Sequence, residues 1–458
     1  MEPQKPPPIS RLPVELLSVI FEKYASEVPK PRFGGDVHST SPILVLAPKP
    51  LLLSVKTPDQ FPYNLASVCI LWREVLATVP SYWTDVLIIV GDEDPTPLAE
   101  VAALFERSIG LFIEVHLWRK DAIDVDEDPE EYRKVRPVIN LMIPHVHRCT
   151  AIHFDVVHGS SLPSVSRDLQ GISGHLISLN LKCQTDDGYP PYLTDTPGPP
   201  NVEREQGEMD SMTRLLELSL HGYTIFDAIQ HRTELFRESP KLQYLELAKF
   251  NTANHDKDRI RASLPAFFSA LAFPHPDATL SLLYLQLPRL HSVARIYPIS
   301  YLHIKFGNLK KNSMCLLMDH LSFRDTERQT ITSCTLDGVK LRPVFELLLW
   351  DIREDLFLPL SSWDGEDIRF HDCSAISDRV LRHLGKETAI LCLEIKGCVG
   401  FSFDGLRELV ALRNQRLSPS IMDLVSITDP RRLPHDHQEW FRMRVTRMLW
   451  SVRQLYWR

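Results

Sequence analysis

Apolar residues recur at helical spacing in two stretches near the start of the chain, at residues 12–28 and 64–78. Ser10 precedes the first stretch and Pro13 suits the first turn of a helix. Pro80 ends the second stretch, because proline lacks the amide hydrogen that a helix needs. We therefore predict two helices. Their apolar faces consist of Leu12, Leu16, Val19, Ile20 and Phe21 in the first and Leu65, Val68, Cys69, Trp72, Val75 and Leu76 in the second.

The residues around these helices predict little regular structure. Residues 1–8 are rich in proline and are expected to be a disordered lead. Residues 29–60 combine proline, serine and lysine, which favours a loop, although so long a loop is unusual. The N-terminal part of the chain is thus expected to be a helical pair with a loop inserted between its members.

Further along the chain, short β-rich segments follow one another, each succeeded by a helical or irregular stretch. Four of them begin a Leu-x-x-Leu-x-Leu phrase, at Leu176, Leu215, Leu242 and Leu282. Alternate residues of a strand share one face, and this phrase is the strand signature of a leucine-rich repeat. The predicted strands are residues 86–90, 111–117, 151–156, 176–181, 215–220, 242–247, 282–287, 301–306, 368–371 and 389–395.

Two later segments, ending at Cys373 and Cys398, resemble the repeat variant in which a cysteine fills the turn after the strand. Inserts such as residues 184–212 make the spacing irregular, so we predict a degenerate array over residues 88–434. Residues 435–458 carry apolar residues at helical spacing between arginines. They predict a helix that caps the array, with binding to a membrane or an acidic partner as the alternative. The expected fold class is α/β, an N-terminal helical module followed by an irregular leucine-rich-repeat-like solenoid with a parallel sheet.

The composition agrees with such an array. The 458 residues exceed the length of roughly 250–300 residues at which a single core stops growing, a limit that repeats escape. The chain is 44% hydrophobic with a net charge of −8, so no positive field attracts nucleic acid.

The eight cysteines occur singly, which is typical of reduced thiols. Lacking a signal peptide and an apolar run of membrane length, the protein is expected in the cytoplasm, the nucleus or both.

No nucleotide-binding or hydrolase motif occurs, so we expect neither an enzyme nor a cofactor. The pairs His145/His147 and His435/His437 lack further ligands that would complete a metal site. The acidic run at residues 124–131 lacks the glycine and the final glutamate of a calcium loop. Three tryptophans fit either a binding face or simple packing: Trp118, Trp350 and Trp363.

Five short segments follow one another in the N-terminal part: Leu12-Pro13-Val14-Glu15-Leu16-Leu17, Ile20-Phe21, Val68-Cys69, Trp72-Arg73 and Trp83. With these segments in this order, residues 9–87 resemble the F-box family. Its members share a Leu-Pro-x-Glu-Leu turn that continues into Ile-Phe, followed by a Val-Cys-x-x-Trp helix and a further tryptophan. The insert at residues 29–60 departs from this pattern. Fungal proteins with a split F-box and a degenerate leucine-rich tail look similar to the whole chain.

The resemblance implies docking to a Skp-type adaptor and through it to a cullin, within an SCF-type ubiquitin ligase. The repeat domain would then bind an unknown target protein, without bond chemistry of its own. The alternative is a leucine-rich scaffold outside the ubiquitin system, in which residues 9–87 cap the array. The residues implied in adaptor binding are Leu12, Pro13, Leu16, Leu17, Ile20, Val68, Cys69, Trp72 and Trp83. Among them, Trp72 and Trp83 would anchor the helices and help hold the module. Candidates for target binding, from their position between the leucines, are Glu217, Ser219, Gln243, Glu246 and Gln286.

Overall fold

The fold is that of a computed structural model of the chain. The predicted lead and insert, residues 1–8 and 29–60, lie outside the residues that it describes. The described residues are 12–27, 61–91, 94–119, 130–190, 212–237, 239–273, 275–289, 295–323, 325–416, 422–428 and 433–451.

The N-terminal part is helical. Helix α1 spans Val14–Glu27, as predicted, and a 3-10 turn spans Pro80–Trp83. The predicted single helix at residues 64–78 is wrong, since it divides into α2, Tyr63–Ala66, and α3, Ile70–Ala77. Between them the Ser67 hydroxyl donates to the carbonyl of Asn64 at 2.7 Å, and Cys69 is extended. Such local hydrogen bonds compete with continuation of a helix.

The rest of the described chain forms a mixed α/β structure around a sheet of 14 strands, in which every neighbouring pair is parallel. Each strand pairs with the next strand along the chain. Two short strands, Tyr297–Pro298 and Leu321–Ser322, form a separate pair and are left out of this order.

The strands are β1 Asp85–Val90, β2 Ile113–Arg119, β3 Cys149–His158, β4 Ser178–Thr185, β5 Glu217–His221, β6 Tyr244–Ala248, β7 His275–Leu283, β8 Tyr297–Pro298, β9 Tyr301–Gly307, β10 Leu321–Ser322, β11 Arg328–Thr332, β12 Glu346–Trp350, β13 Asp367–His371, β14 Cys392–Lys396, β15 Met422–Thr428 and β16 Val445–Ser451. The remaining α-helices are α4 Leu98–Arg107, α5 Glu131–Met142, α6 Thr224–His231, α7 Glu234–Arg237, α8 Lys257–Leu271, α9 Lys311–His320, α10 Asp378–Glu387, α11 Phe403–Arg416 and α12 His435–Arg442.

The two faces of the sheet differ in polarity, because successive side chains of a strand point to opposite sides. On one face Leu179, Leu218 and Leu245 stand side by side in register and are fully buried. The opposite face, which we call the polar face, carries mainly charged and hydrogen-bonding side chains. Its middle row consists of His116, His153, Asn180, Ser219, Glu246, Ser281, Lys305, Thr330, Leu348, Arg369, Glu394, Ser426 and Leu449.

The fourth predicted leucine phrase, starting at Leu282, is out of register. Strand β7 ends at Leu283, and its residues Leu280 and Leu282 pair with Leu245 and Leu247 of β6. Tyr284 then takes a positive φ of 54°, which ends the extended backbone. The predicted strand at residues 282–287 is therefore wrong, and its last leucines lie beyond the strand.

The predicted C-terminal helix is also corrected. Helix α12 ends at Arg442, and Val445–Ser451 is a strand that pairs with β15. Met448 packs against the core while its neighbour Leu449 is exposed, so the side chains alternate with the period of a strand. Residues 452–458 lie outside the described part of the chain.

Cysteines occupy the turns after several strands. Cys373 and Cys398 are fully buried, and the amide of Cys373 donates to Sγ of Cys398 at 3.3 Å. This agrees with the prediction that both thiols fill turns. Cys334, which the sequence analysis passed over, accepts a hydrogen bond from the amide of Leu309 in the same way, at 3.4 Å.

The helical part closes the first edge of the sheet. The Tyr63 hydroxyl donates to the carbonyl of Asp85 at 2.6 Å and accepts from the amide of Leu87 at 3.0 Å. Thr96 satisfies the amide and carbonyl of Ile89 in the same strand. Because an open strand edge is a template for aggregation, these bonds protect β1 as well as join it to the helices.

We predict that Tyr63→Phe lowers the free energy of unfolding by about 1–3 kcal/mol, because it leaves a buried donor and acceptor without a partner. Equilibrium denaturation measures the effect. Tyr82→Phe is the control, since the Tyr82 hydroxyl makes no hydrogen bond within the described residues, and it should change stability by less than about 0.5 kcal/mol. If both variants lowered the free energy of unfolding equally, the role of the Tyr63 hydroxyl in holding β1 to the helices would be contradicted.

A second prediction concerns Gln329, which is fully buried on the core face between Ile304 and Leu347. Neither of its amide atoms has a hydrogen-bond partner among the described residues. We expect Gln329→Leu to raise the free energy of unfolding by about 1–3 kcal/mol in equilibrium denaturation. Gln243→Leu, at an exposed position before β6, should have little effect. A loss of stability in Gln329→Leu would instead show that the amide holds a buried water.

Candidate protein-binding surfaces

Helix α1 divides into a buried and an exposed apolar side. Leu17 and Phe21 are buried, and the ring of Phe21 meets that of Trp72 edge-on with centroids 5.1 Å apart. Residues four apart on a helix share one side. Leu16, Ile20 and Tyr24 therefore form a row, which we call the α1 stripe, and their exposed fractions are 51, 49 and 41%.

The residues implied in adaptor binding separate into surface and core. Leu17, Trp72 and Trp83 are buried, and the indole of Trp83 donates to the carbonyl of Leu76 at 2.9 Å. The predicted contact of Leu17 with a partner is corrected, because Leu17 is fully buried. The burial of Trp72 and Trp83 agrees with their expected role as anchors of the helices and leaves them no surface for a partner. The other members remain available: Pro13, Leu16, Ile20 and Val68 are exposed, and Leu12 and Cys69 are half-buried.

Other exposed apolar residues of the helical part were not among those implied in adaptor binding. Val14 and Val19 flank the stripe on α1, and Ile70 begins α3 with 71% of its surface exposed. The spacing of Tyr24 from Leu16 and Ile20 could have indicated from the sequence that Tyr24 lies on the same side of the helix. The exposure of Ile70 depends instead on the break between α2 and α3, which the sequence analysis did not predict. Apolar side chains concentrated in so short a helical segment are typical of an interaction surface.

The polar face is organised around Glu246 on β6. Its carboxylate accepts hydrogen bonds from Ser219 and His221, each at 2.9 Å, and from the Tyr244 hydroxyl at 2.6 Å. The ammonium of Lys182 lies 3.5 Å away. Burial by itself would raise the pKa of Glu246, but the hydrogen bond from His221 and the nearby positive charges outweigh it and lower the pKa.

A second ionic network crosses strands β11–β14. Glu346 lies between the guanidinium groups of Arg328 and Arg369, at 2.6 and 3.1 Å. Arg369 also contacts Asp367 at 3.0 Å. Farther along, His371 lies 3.1 Å from Glu394, and that hydrogen bond lowers the pKa of Glu394. Much of the charge on the polar face is thus paired within the sheet itself.

The predicted target-binding residues are only partly on this face. Glu217, Ser219 and Glu246 lie on it. Gln243 precedes β6 and Gln286 follows β7, so their predicted position between strand leucines is wrong. Of the tryptophans considered above, Trp118 and Trp350 are half-buried strand residues on the polar face, and Trp363 is buried.

The described residues include no group of three or more histidine, cysteine or acidic side chains arranged around a common point for a metal ion. His145 instead stacks on Phe105, with ring centroids 4.8 Å apart. Of the acidic run, Glu130 and Glu131 are described. The carboxylate of Glu131 accepts hydrogen bonds from the amides of Val157 and His158. In the same part of the chain, no helix has the length and apolar character of a membrane span.

No protein-family model matches the sequence, and no curated protein matches it either. The interpretation of function therefore rests on the two surfaces, the α1 stripe on the helical part and the polar face on the sheet.

We predict that Glu246→Gln lowers the free energy of unfolding at neutral pH by about 1–3 kcal/mol, because it weakens charge-assisted hydrogen bonds. The lowered pKa of Glu246 means that its charge stabilises the fold above the ordinary value of 4.5 and that this contribution is lost as the pH falls below it. The difference in the free energy of unfolding between wild type and Glu246→Gln should therefore narrow below pH 4.5, as measured by equilibrium denaturation at a series of pH values. Glu439→Gln changes an exposed residue of α12 and should show no such difference from wild type.

Proposed function

We propose that the chain is a substrate-recruiting adaptor subunit of an SCF-type ubiquitin ligase. In this proposal the helical part is an F-box that docks a Skp-type adaptor and thereby a cullin. The observation that carries the proposal is the distribution of the F-box-like motif over α1. Leu17 holds the helix to its neighbours, while Pro13, Leu16 and Ile20 leave apolar surface for a partner.

We propose further that the sheet belongs to an irregular leucine-rich-repeat-like solenoid. Two features support this: the in-register leucines Leu179, Leu218 and Leu245, and the thiols of Cys373 and Cys398 in the turns after their strands. The polar face would then be the surface that receives a target protein. The chain would act by proximity, in the cytoplasm or nucleus, with ubiquitin transfer carried out by other subunits.

The junction between the two parts supports a fixed geometry. Tyr63 and Trp83, whose rings meet edge-on with centroids 5.9 Å apart, join the helices to β1 and to each other. Because adaptor and target would dock on parts held together by a buried contact, their separation would vary little. A constant separation suits a subunit that presents a target to a distant catalytic partner.

The alternative is a leucine-rich scaffold in which residues 9–87 serve as a cap. The hydrogen bonds between the Tyr63 hydroxyl and β1 favour this alternative as well. Deleting residues 1–90 does not separate the two functions, because it removes both the cap and β1, and unfolding is expected either way. A test of docking must therefore change the surface of α1 and leave its buried side intact.

We expect Leu16→Asp combined with Ile20→Asp to abolish capture of the purified Skp-type adaptor, since two charges would be buried in an apolar contact. Both positions are about half exposed, so the free energy of unfolding should fall by less than about 1 kcal/mol. Trp72→Ala is unsuitable, because truncating this buried ring would unfold the module.

The control is Val399→Asp, which makes the same kind of change at a position 63% exposed after β14. It should bind the adaptor as wild type does. Undiminished capture by the double variant would refute docking through the α1 stripe. If the folded wild-type chain fails to bind the adaptor at all, the scaffold alternative is preferred.

A further inference from the structure

An unpaired cation lies near the middle of the polar face. Strand β9 has seven strands of the large sheet on one side and six on the other. Its residue Lys305 belongs to the middle row of the face, between Ser281 of β7 and Thr330 of β11. Lys305 is half-buried, and its ammonium makes no hydrogen bond or ion pair with the described residues. The ammonium is not closed to solvent, so a partner can reach it.

The strands around Lys305 carry positive charge without a neighbouring acid. On β7, β9 and β11, three rows of the polar face place nine residues in register, and two of these residues are cations, Lys305 and Arg328. None of the nine is a carboxylate. The acidic residue of β7, Asp277, lies before these rows, where the register of that strand shifts. The other seven residues are Thr279, Ser281, Leu283, His303, Gly307, Thr330 and Thr332.

His303, two residues before Lys305 on β9, does not alter this balance. Its Nε2 atom lies 2.8 Å from the hydroxyl oxygen of Thr330. Burial, followed by the positive charges of Lys305 and Arg328, lowers the pKa of His303 to about 3. The imidazole is therefore neutral at physiological pH, and the positive charge here belongs to Lys305 and Arg328.

The carboxylates on the strands to either side already have partners. Glu346 on β12 lies between Arg328 and Arg369, so Arg328 is balanced within the sheet. Glu246 on β6 holds the hydrogen bonds described above and is two strands away from Lys305, about 10 Å across the sheet. Burial lowers the pKa of Lys305, and the charge of Glu246 offsets only part of this effect. Lys305 thus lacks a compensating negative charge.

We propose that Lys305 binds the carboxylate side chain of an aspartate or glutamate in a polypeptide that lies across the polar face. The ammonium donates hydrogen bonds to the carboxylate, and Arg328 on the neighbouring strand adds a second positive charge. The identification of this polypeptide as the target rests on the proposed function, which it deepens by naming one kind of residue that the target presents.

A phosphorylated side chain suits the site less well than a carboxylate. It carries about 1.5–2 negative charges at neutral pH, whereas a single positive charge is left uncompensated at Lys305. The excess charge would face Glu246 and Glu346, the carboxylates on either side of this part of the sheet. A monovalent carboxylate balances Lys305 without such repulsion.

The test uses the full-length protein and an array of synthetic peptides that differ at one fixed position in a randomised background. That position carries aspartate, glutamate, asparagine, glutamine, alanine or phosphoserine. We expect aspartate or glutamate peptides to be captured more strongly than their amide counterparts. Equal capture of acidic and amide peptides, or stronger capture of phosphoserine peptides, would overturn the proposal.

With an acidic peptide selected from the array, Lys305→Met should weaken binding about tenfold in fluorescence anisotropy, the effect of one lost hydrogen bond to a charged group. Methionine keeps an unbranched side chain and removes the charge. Because the ammonium has no partner within the described residues, equilibrium denaturation should show stability that is unchanged or raised. A marked loss of stability would assign Lys305 a structural role and contradict the proposal.

Lys396→Met is the matched control. Lys396 is a half-buried lysine on the same face at β14, and its ammonium also makes no hydrogen bond or ion pair with the described residues. This variant loses the same charge and should bind the selected peptide as wild type does. Equal weakening by both variants would show general electrostatic attraction instead of a site at Lys305.

Adaptor capture separates this site from the proposed function. Binding of acidic peptides through Lys305 without adaptor capture would refute only the ligase role. Adaptor capture without a preference for acidic peptides would refute only the site.

Discussion

The whole arrangement depends on parallel pairing of each strand of the large sheet with the next strand of that sheet, in a register that keeps one face buried. Irregularities in this register occur between Ile113 and Glu114 of β2 and between His275 and Thr279 of β7. Because the side chains of a strand alternate with period two, a single shift would move every core leucine to the other face. The register holds across β4, β5 and β6, where Leu179, Leu218 and Leu245 align. The same register that buries the leucines also builds the polar face, so packing on one side determines the chemistry available on the other.

The sequence predicted an α/β structure with a parallel sheet, and it predicted most of the strands in which leucines mark the register. It failed where the leucine pattern is ambiguous or absent. In β7, the leucines aligned with Leu245 and Leu247 are Leu280 and Leu282, whereas the pattern starting at Leu282 places its last two leucines beyond the turn at Tyr284. Strand β11 was missed because Gln329 occupies a position that apolar residues fill in the neighbouring strands. Strand β16 was read as a helix because its apolar residues suit both periods over so few residues.

For the helical part, the motif indicated which residues matter but not which side each would face. Leu16 and Leu17 are adjacent in the sequence and equally apolar, yet one is half exposed and the other fully buried. Their difference arises from the position of α3, which places Trp72 against Phe21. That position follows from long-range packing, which the spacing of residues within one helix does not specify.

On the polar face, ion pairs within the sheet affect which side chains a partner could bind. Where carboxylates such as Glu246 and Glu346 already have cationic partners, binding there would require breaking short contacts before new ones form. Trp118, His153 and Asn180 differ, since each carries a buried polar atom that has no hydrogen-bond partner among the described residues. Leaving such atoms unpaired is unfavourable. The register that buries the leucines on one side of the sheet therefore leaves both paired charges and unpaired polar atoms on the other, and the packing of the leucines must offset the unfavourable contribution of the unpaired atoms.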